Sequence, residues 1–199
     1  MSRTRKNVSV LLSATLAAWV FAPGRASAGD DEPDIYIVSA DIGGSGCPEG
    51  TASTVLSEDK RTLTIIFDDY MVEDNDYGSC NIAVALSVPP GISIALVDVD
   101  YRGFASIPDL KGRKGRFRTE YFFAGDTGPV RVANFPRGYE GSFMIRHDIS
   151  GLVWAPCGAE VIARANTSLK TWGKDSFLTI DTADVTTNRI TFYLDWDYC

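Results

Sequence analysis

From residue 35 onward, apolar side chains recur with a period of two in short runs, and the runs end in clusters of glycine, proline, asparagine or aspartate. That period puts successive side chains on opposite faces of an extended chain, so the runs predict β-strands. The last run is the clearest. Ile190, Phe192, Leu194, Trp196 and Tyr198 alternate with Thr191, Tyr193, Asp195 and Asp197, which gives one buried face and one wet face. Other strands are predicted at 35–38, 51–56, 62–67, 80–88, 92–101, 104–110, 116–123, 130–135, 141–149, 158–166 and 176–181. Ser57-Glu58-Asp59-Lys60 turns a hairpin between two of them, Pro89-Pro90-Gly91 stops another, Arg102-Gly103 breaks the chain again, and Asp126-Thr127-Gly128-Pro129 forms a further turn. A helical period is almost absent. The expected fold is all-β: a single antiparallel β-sandwich of Greek-key or jelly-roll type, with a closed barrel as the alternative.

The N-terminal segment follows a different pattern. Arg3, Arg5 and Lys6 precede an uncharged apolar stretch at 8–21, and Ala26-Ser27-Ala28 supplies small residues for cleavage before Gly29. The apolar stretch is shorter than the roughly 20 residues that span a bilayer, and no later stretch is long enough. Residues 1–28 therefore read as a cleaved signal peptide and 29–199 as one β-sandwich domain, secreted to the extracellular space or periplasm, with no transmembrane segment after cleavage. The full chain carries a formal charge of −7, and the removed segment holds four cations and no acid. The mature domain would then set 15 cations against 26 acids, a charge of −11. Such a charge repels nucleic acid, which is not an expected partner.

Export to an oxidising compartment changes the meaning of Cys47, Cys80, Cys157 and Cys199, an even set that reads as two disulfides. Of the three connectivities, Cys47–Cys80 with Cys157–Cys199 is favoured because it joins neighbours within each half of the chain. Zinc is a poor rival, since there is no C-x-x-C pair and the sole histidine is His147.

Candidate chemistry is sparse. No G-x-S-x-G surrounds a serine, and His147, between Arg146 and Asp148, reads as an exposed strand histidine rather than a catalytic base. Asp98 with Asp100, and Asp195 with Asp197, share strand faces and are the pairs a glycoside hydrolase would need, although a spacing of two also describes a solvated strand. No residue is assigned a catalytic role. Asp68, Asp69, Glu73, Asp74 and Asp76 offer loop oxygens for Ca2+, the only cofactor considered, with Asn75 among them. Lys111, Arg113, Lys114, Arg116 and Arg118 form a basic exception on an acidic chain, suited to a polyanion such as an acidic polysaccharide or lipid headgroup. Trp172, placed in a turn, is the best exposed aromatic for a sugar; Trp196 belongs to the core face, and Trp154 is a third tryptophan. Asn166-Thr167-Ser168 is a glycosylation sequon that matters in a eukaryotic secretory pathway.

Gly44-Ser45-Gly46-Cys47-Pro48, Cys80-Asn81-Ile82, Pro90-Gly91, Asp100-Tyr101-Arg102-Gly103-Phe104, Tyr121-Phe122-Phe123, Trp154 with Cys157-Gly158, and the closing Leu194-Asp195-Trp196 with Cys199 occur in this order. Together with the 62–67 strand and Tyr70, they make the chain resemble DUF4360, a family of secreted bacterial and fungal proteins known as a domain of unknown function. The resemblance implies export, this length and this cysteine pattern. It supplies no catalytic residues. The expected function is a secreted, non-catalytic binding or structural protein of the envelope or extracellular space, with polysaccharide or a cell-envelope component as partner. The alternatives are a calcium-dependent carbohydrate-binding module and, behind it, a small hydrolase built on a carboxylate pair.

Overall fold

The structure, a computed structural model, describes residues 33–123, 126–149, 154–180 and 189–199. Residues 1–28, read above as a signal peptide, and residues 29–32 lie outside the described residues. Among the described residues, twelve strands form two sheets, and every pairing is antiparallel. Sheet A holds β1 (Tyr36–Gly43), β5 (Tyr77–Ser87), β10 (Val161–Trp172), β7 (Lys114–Phe123) and β8 (Asp126–Phe135), in that order. Sheet B runs β2 (Ala52–Leu56), β3 (Thr62–Phe67), β12 (Arg189–Tyr198), β6 (Ile92–Ser106), β11 (Phe177–Thr179) and β4 (Met71–Glu73), and β9 (Glu140–Asp148) pairs with β6. Of the described strands, only β2–β3 and β7–β8 are paired neighbours that are also consecutive in sequence. The chain passes repeatedly between the sheets, as a sandwich requires.

Alternation explains the packing. On β10, Val161, Ala163, Ala165, Thr167, Leu169 and Thr171 are buried, while the residues between them face outward. The inner faces of both sheets meet in one core, which includes Leu63, Ile65, Phe117, Tyr121, Leu169 and Phe192. Three fully buried tyrosines cross that core and find polar partners. The Tyr70 hydroxyl lies 2.7 Å from Thr167 Oγ1, Tyr101 lies 3.0 Å from Thr119 Oγ1, and Tyr121 lies 2.5 Å from His147 Nδ1. Burial pushes all three phenols above their usual pKa, so they remain protonated.

Several local expectations change. The chain does not break at Arg102-Gly103, because β6 runs unbroken to Ser106. Gly103 is there for close approach: a Cβ would collide with the Thr179 carbonyl on β11 and the Phe143 ring on β9. The segment 126–129 is not a turn but the start of edge strand β8, whose irregular register beside Glu120 and Phe122 accommodates Pro129. The acidic segment after Phe67 contains the short strand β4. Trp172 ends β10 instead of sitting in a turn.

Cys47 bonds Cys80, and Cys157 bonds Cys199. Gly44 and Gly46 let the first loop press against Ser79 and Gly78 of β5, which brings Cys47 to Cys80. The second bond holds the C-terminus beside the 156–159 turn, where Cys199 N donates to Gly91 O and Gly158 N donates to Ile92 O. No helix of the described residues is long and apolar enough to cross a membrane.

Candidate functional site

The basic run separates by parity. Gly115, Phe117 and Thr119 turn inward on β7, so Lys114, Arg116 and Arg118 line up on the outer face of sheet A. Lys111 and Arg113 lie outside that row, in the segment before β7. Arg113 folds over Gly173, a glycine whose φ of 88° and missing Cβ leave room for the guanidinium.

Register then joins the row to β10. Trp172 pairs with Lys114, Lys170 with Arg116, and Ser168 with Arg118. Three cations gather over the Trp172 ring: Lys114 Nζ lies 4.3 Å from its centroid, Lys170 Nζ 5.1 Å, and Arg116 Cζ 5.4 Å. The basic run and Trp172, two separate features of the sequence, are therefore one patch. The indole face carries partial negative charge and holds the cations there, so Trp172 supports them rather than offering a bare ring to a sugar. Lys170 was missed by sequence reasoning, and the signal that could have found it was its parity with Trp172. Arg118 is neutralised by Glu120 at 3.0 Å, whereas no carboxylate of the described residues pairs with Lys114, Arg116 or Lys170.

The remaining candidates do not converge. Asp68 and Asp69 precede β4, and Asp74 and Asp76 follow it, with Glu73 at its end. Three extended residues separate the two groups by about 10 Å. Asp74 Oδ1 accepts from Asp175 N and Asp76 Oδ1 from Tyr77 N. No group of three or more His, Cys, Asp or Glu among the described residues is arranged to hold a metal ion.

The carboxylate pairs are bound up with arginines. Arg146 reaches Asp98 at 2.5 Å and Asp100 at 3.8 Å, and the Tyr193 hydroxyl donates to Asp100 at 3.0 Å. Asp195 pairs with Arg61, which also stacks over Trp196. His147 is buried rather than exposed, because β9 turns it inward toward Tyr121. Burial, aided by the charge of Arg131, lowers its pKa to about 4. Its Nδ1 shares a hydrogen bond with the Tyr121 hydroxyl.

Two further clefts open on sheet A. One, of about 590 Å³, lies between Phe122 and Pro156, Glu160 and Ile162; the other, of about 420 Å³, lies over Asp41, Asn81 and Ala83. Both are lined by Arg164 and Asn166, on the outward parity of β10.

An uncharacterised secreted protein of Arthroderma benhamiae is 31% identical over 183 residues, covering 84% of this chain and 74% of its own. Among solved structures, a carbohydrate-binding module in complex with β-1,4-galactotriose is 12% identical at a TM-score of 0.29, covering 81% of this chain and 90% of its own. A carbohydrate-binding module that recognises mannan is 11% identical at a TM-score of 0.31, with coverage of 83% and 89%. Likeness at such scores does not extend to the site. The DUF4360 family, described as a domain of unknown function, matches residues 33–199, which takes in every described strand. This is a secreted protein, and the chain belongs to the DUF4360 family.

Proposed function

We propose that this protein is a non-catalytic binding protein of the envelope or extracellular space, and that it holds an acidic polysaccharide on the outer face of sheet A. One observation carries the reading: Lys114, Arg116 and Lys170 crowd around Trp172 without a carboxylate partner, on a chain of net charge −7. Like charges held together are costly, and an anionic ligand relieves that cost. The patch runs along the strands, a course that suits an extended polymer: Ser168, Asn166, Ser79 and Asn81 continue it with polar side chains, and the exposed Tyr77 and Val132 lie beside Lys170 and Arg118. Calcium has no part in this reading, because the five loop acids lie at opposite ends of β4.

Titration calorimetry with an octamer of galacturonic acid tests the proposal. Binding is expected at low salt, with an affinity that falls as salt rises and is weakened at least tenfold by Lys170→Ala. A neutral oligosaccharide of equal length should not bind. Equal binding of the neutral sugar, no binding of the acidic one, or binding to anionic lipid vesicles in its place would each overturn the proposal.

A further inference from the structure

The cationic patch occupies one end of β10, and the two clefts meet at the other. Arg164, Asn166, Ser168, Lys170 and Trp172 share the outward face of that strand. Eight residues of extended chain separate Arg164 from Trp172, about 26 Å. Charge along this track is not uniform. Arg118 beside Ser168 is neutralised by Glu120, so unpaired cations stand at Lys114, Arg116 and Lys170 at one end and at Arg164 at the other, where Glu160 and Asp41 line the same clefts. Arg164 is exposed and makes no ion pair with any described carboxylate.

We propose that Arg164, with Asn166 and Asn81, forms a second subsite for the same acidic polysaccharide, so that one chain lies along β10 and is gripped at both ends. This rests on the function proposed above and specifies how the ligand is read. Three features suit a sugar acid at this end. Arg164 presents a planar fork that matches a carboxylate. Asn166 and Asn81, paired across β10 and β5, each offer an amide donor and acceptor for ring hydroxyls. Phe122, paired with Arg164 across β10 and β7, adds a half-buried ring against which an apolar sugar face can lie. Discrimination between polymers belongs to this subsite, because the Trp172 end offers charge and little else.

Two anchors on one polymer make affinity depend on ligand length. Protein produced in a bacterial host would be titrated with a trimer and an octamer of galacturonic acid. The octamer is expected to bind at least tenfold more tightly. Arg164→Ala should bring the octamer down to the affinity of the trimer while leaving the trimer unchanged, and Lys170→Ala should weaken both. Equal affinities for trimer and octamer in the unaltered protein, or an octamer indifferent to Arg164→Ala, would overturn the second subsite while leaving the first standing. Failure of both oligomers to bind would overturn the two together.

Discussion

The hydroxyl of Tyr121 on sheet A and Nδ1 of His147 on sheet B meet 2.5 Å apart inside the sandwich. Tyr101 packs beside both rings, and Arg131 of β8 reaches the Asp148 carbonyl next to them. The imidazole is held neutral by burial, with its pKa lowered to about 4 from an ordinary value of 6.5. The unfolded chain therefore takes up a proton at a higher pH than the folded one, and stability must fall as the medium is acidified. The loss should begin below pH 6.5 and run down to about pH 4. Thermal unfolding followed across this range should show Tm falling by several degrees, and His147→Gln should remove that part of the slope. A parallel slope in the variant would mean that other groups are responsible.

The Tyr70 contact predicts an asymmetry. Thr167 Oγ1 donates to the Cys80 carbonyl at 3.0 Å and also meets the Tyr70 hydroxyl. Tyr70→Phe leaves Thr167 with a partner and should cost about 1 kcal/mol. Thr167→Val strands both the phenol and the carbonyl inside the core and should cost about 2–3 kcal/mol. Urea unfolding of the two variants gives the comparison directly.

Gly103 and Gly112 should respond differently to alanine. At Gly112, with a φ of 86° in an open turn, the penalty is backbone strain of about 1 kcal/mol. At Gly103 the new methyl meets the Thr179 carbonyl and the Phe143 ring, and separating β6 from β11 should cost about 2–3 kcal/mol. Equal penalties would argue against the close approach.

The disulfides can be separated by what they restrain. Each closes a loop of moderate length, with sequence separations of 33 and 42, and losing either should cost about 3–4 kcal/mol on the chain-entropy account. Paired serine variants at Cys157 and Cys199 should also speed amide exchange at the end of β12, which the Cys47 and Cys80 pair should leave slow.

Much of the sandwich was legible because burial follows parity. Apolar alternation marked β2, β3 and β12 within a residue or two of their ends. Glycine and proline misled where their reason was tertiary. Gly103 resembles a strand breaker until Thr179 is found behind it, and Pro129 resembles a turn until it is seen on an edge strand. The patch was half visible. Lys114, Arg116, Arg118 and Trp172 stood out by residue type, but only the β7–β10 register brings them together and adds Lys170. Arg164 carries no local signal, and Asn166 and Asn81 stood out only as a sequon and beside a cysteine, because the three become neighbours through pairings distant in sequence. His147 went the other way: its charged flanks suggested exposure, yet their parity is what sends the ring inward.

The same parity on β10 bears on the Asn166-Thr167-Ser168 sequon. Asn166 faces out at the junction of the clefts, but the Thr167 hydroxyl, which a glycosylating enzyme must also reach, is locked between Tyr70 and the Cys80 carbonyl. In a eukaryotic secretory pathway, sugar attachment and folding then compete in time. A chain that folds first closes the sequon and keeps the clefts at Asn166 open, while one that is modified first carries a glycan where the proposed polysaccharide would lie.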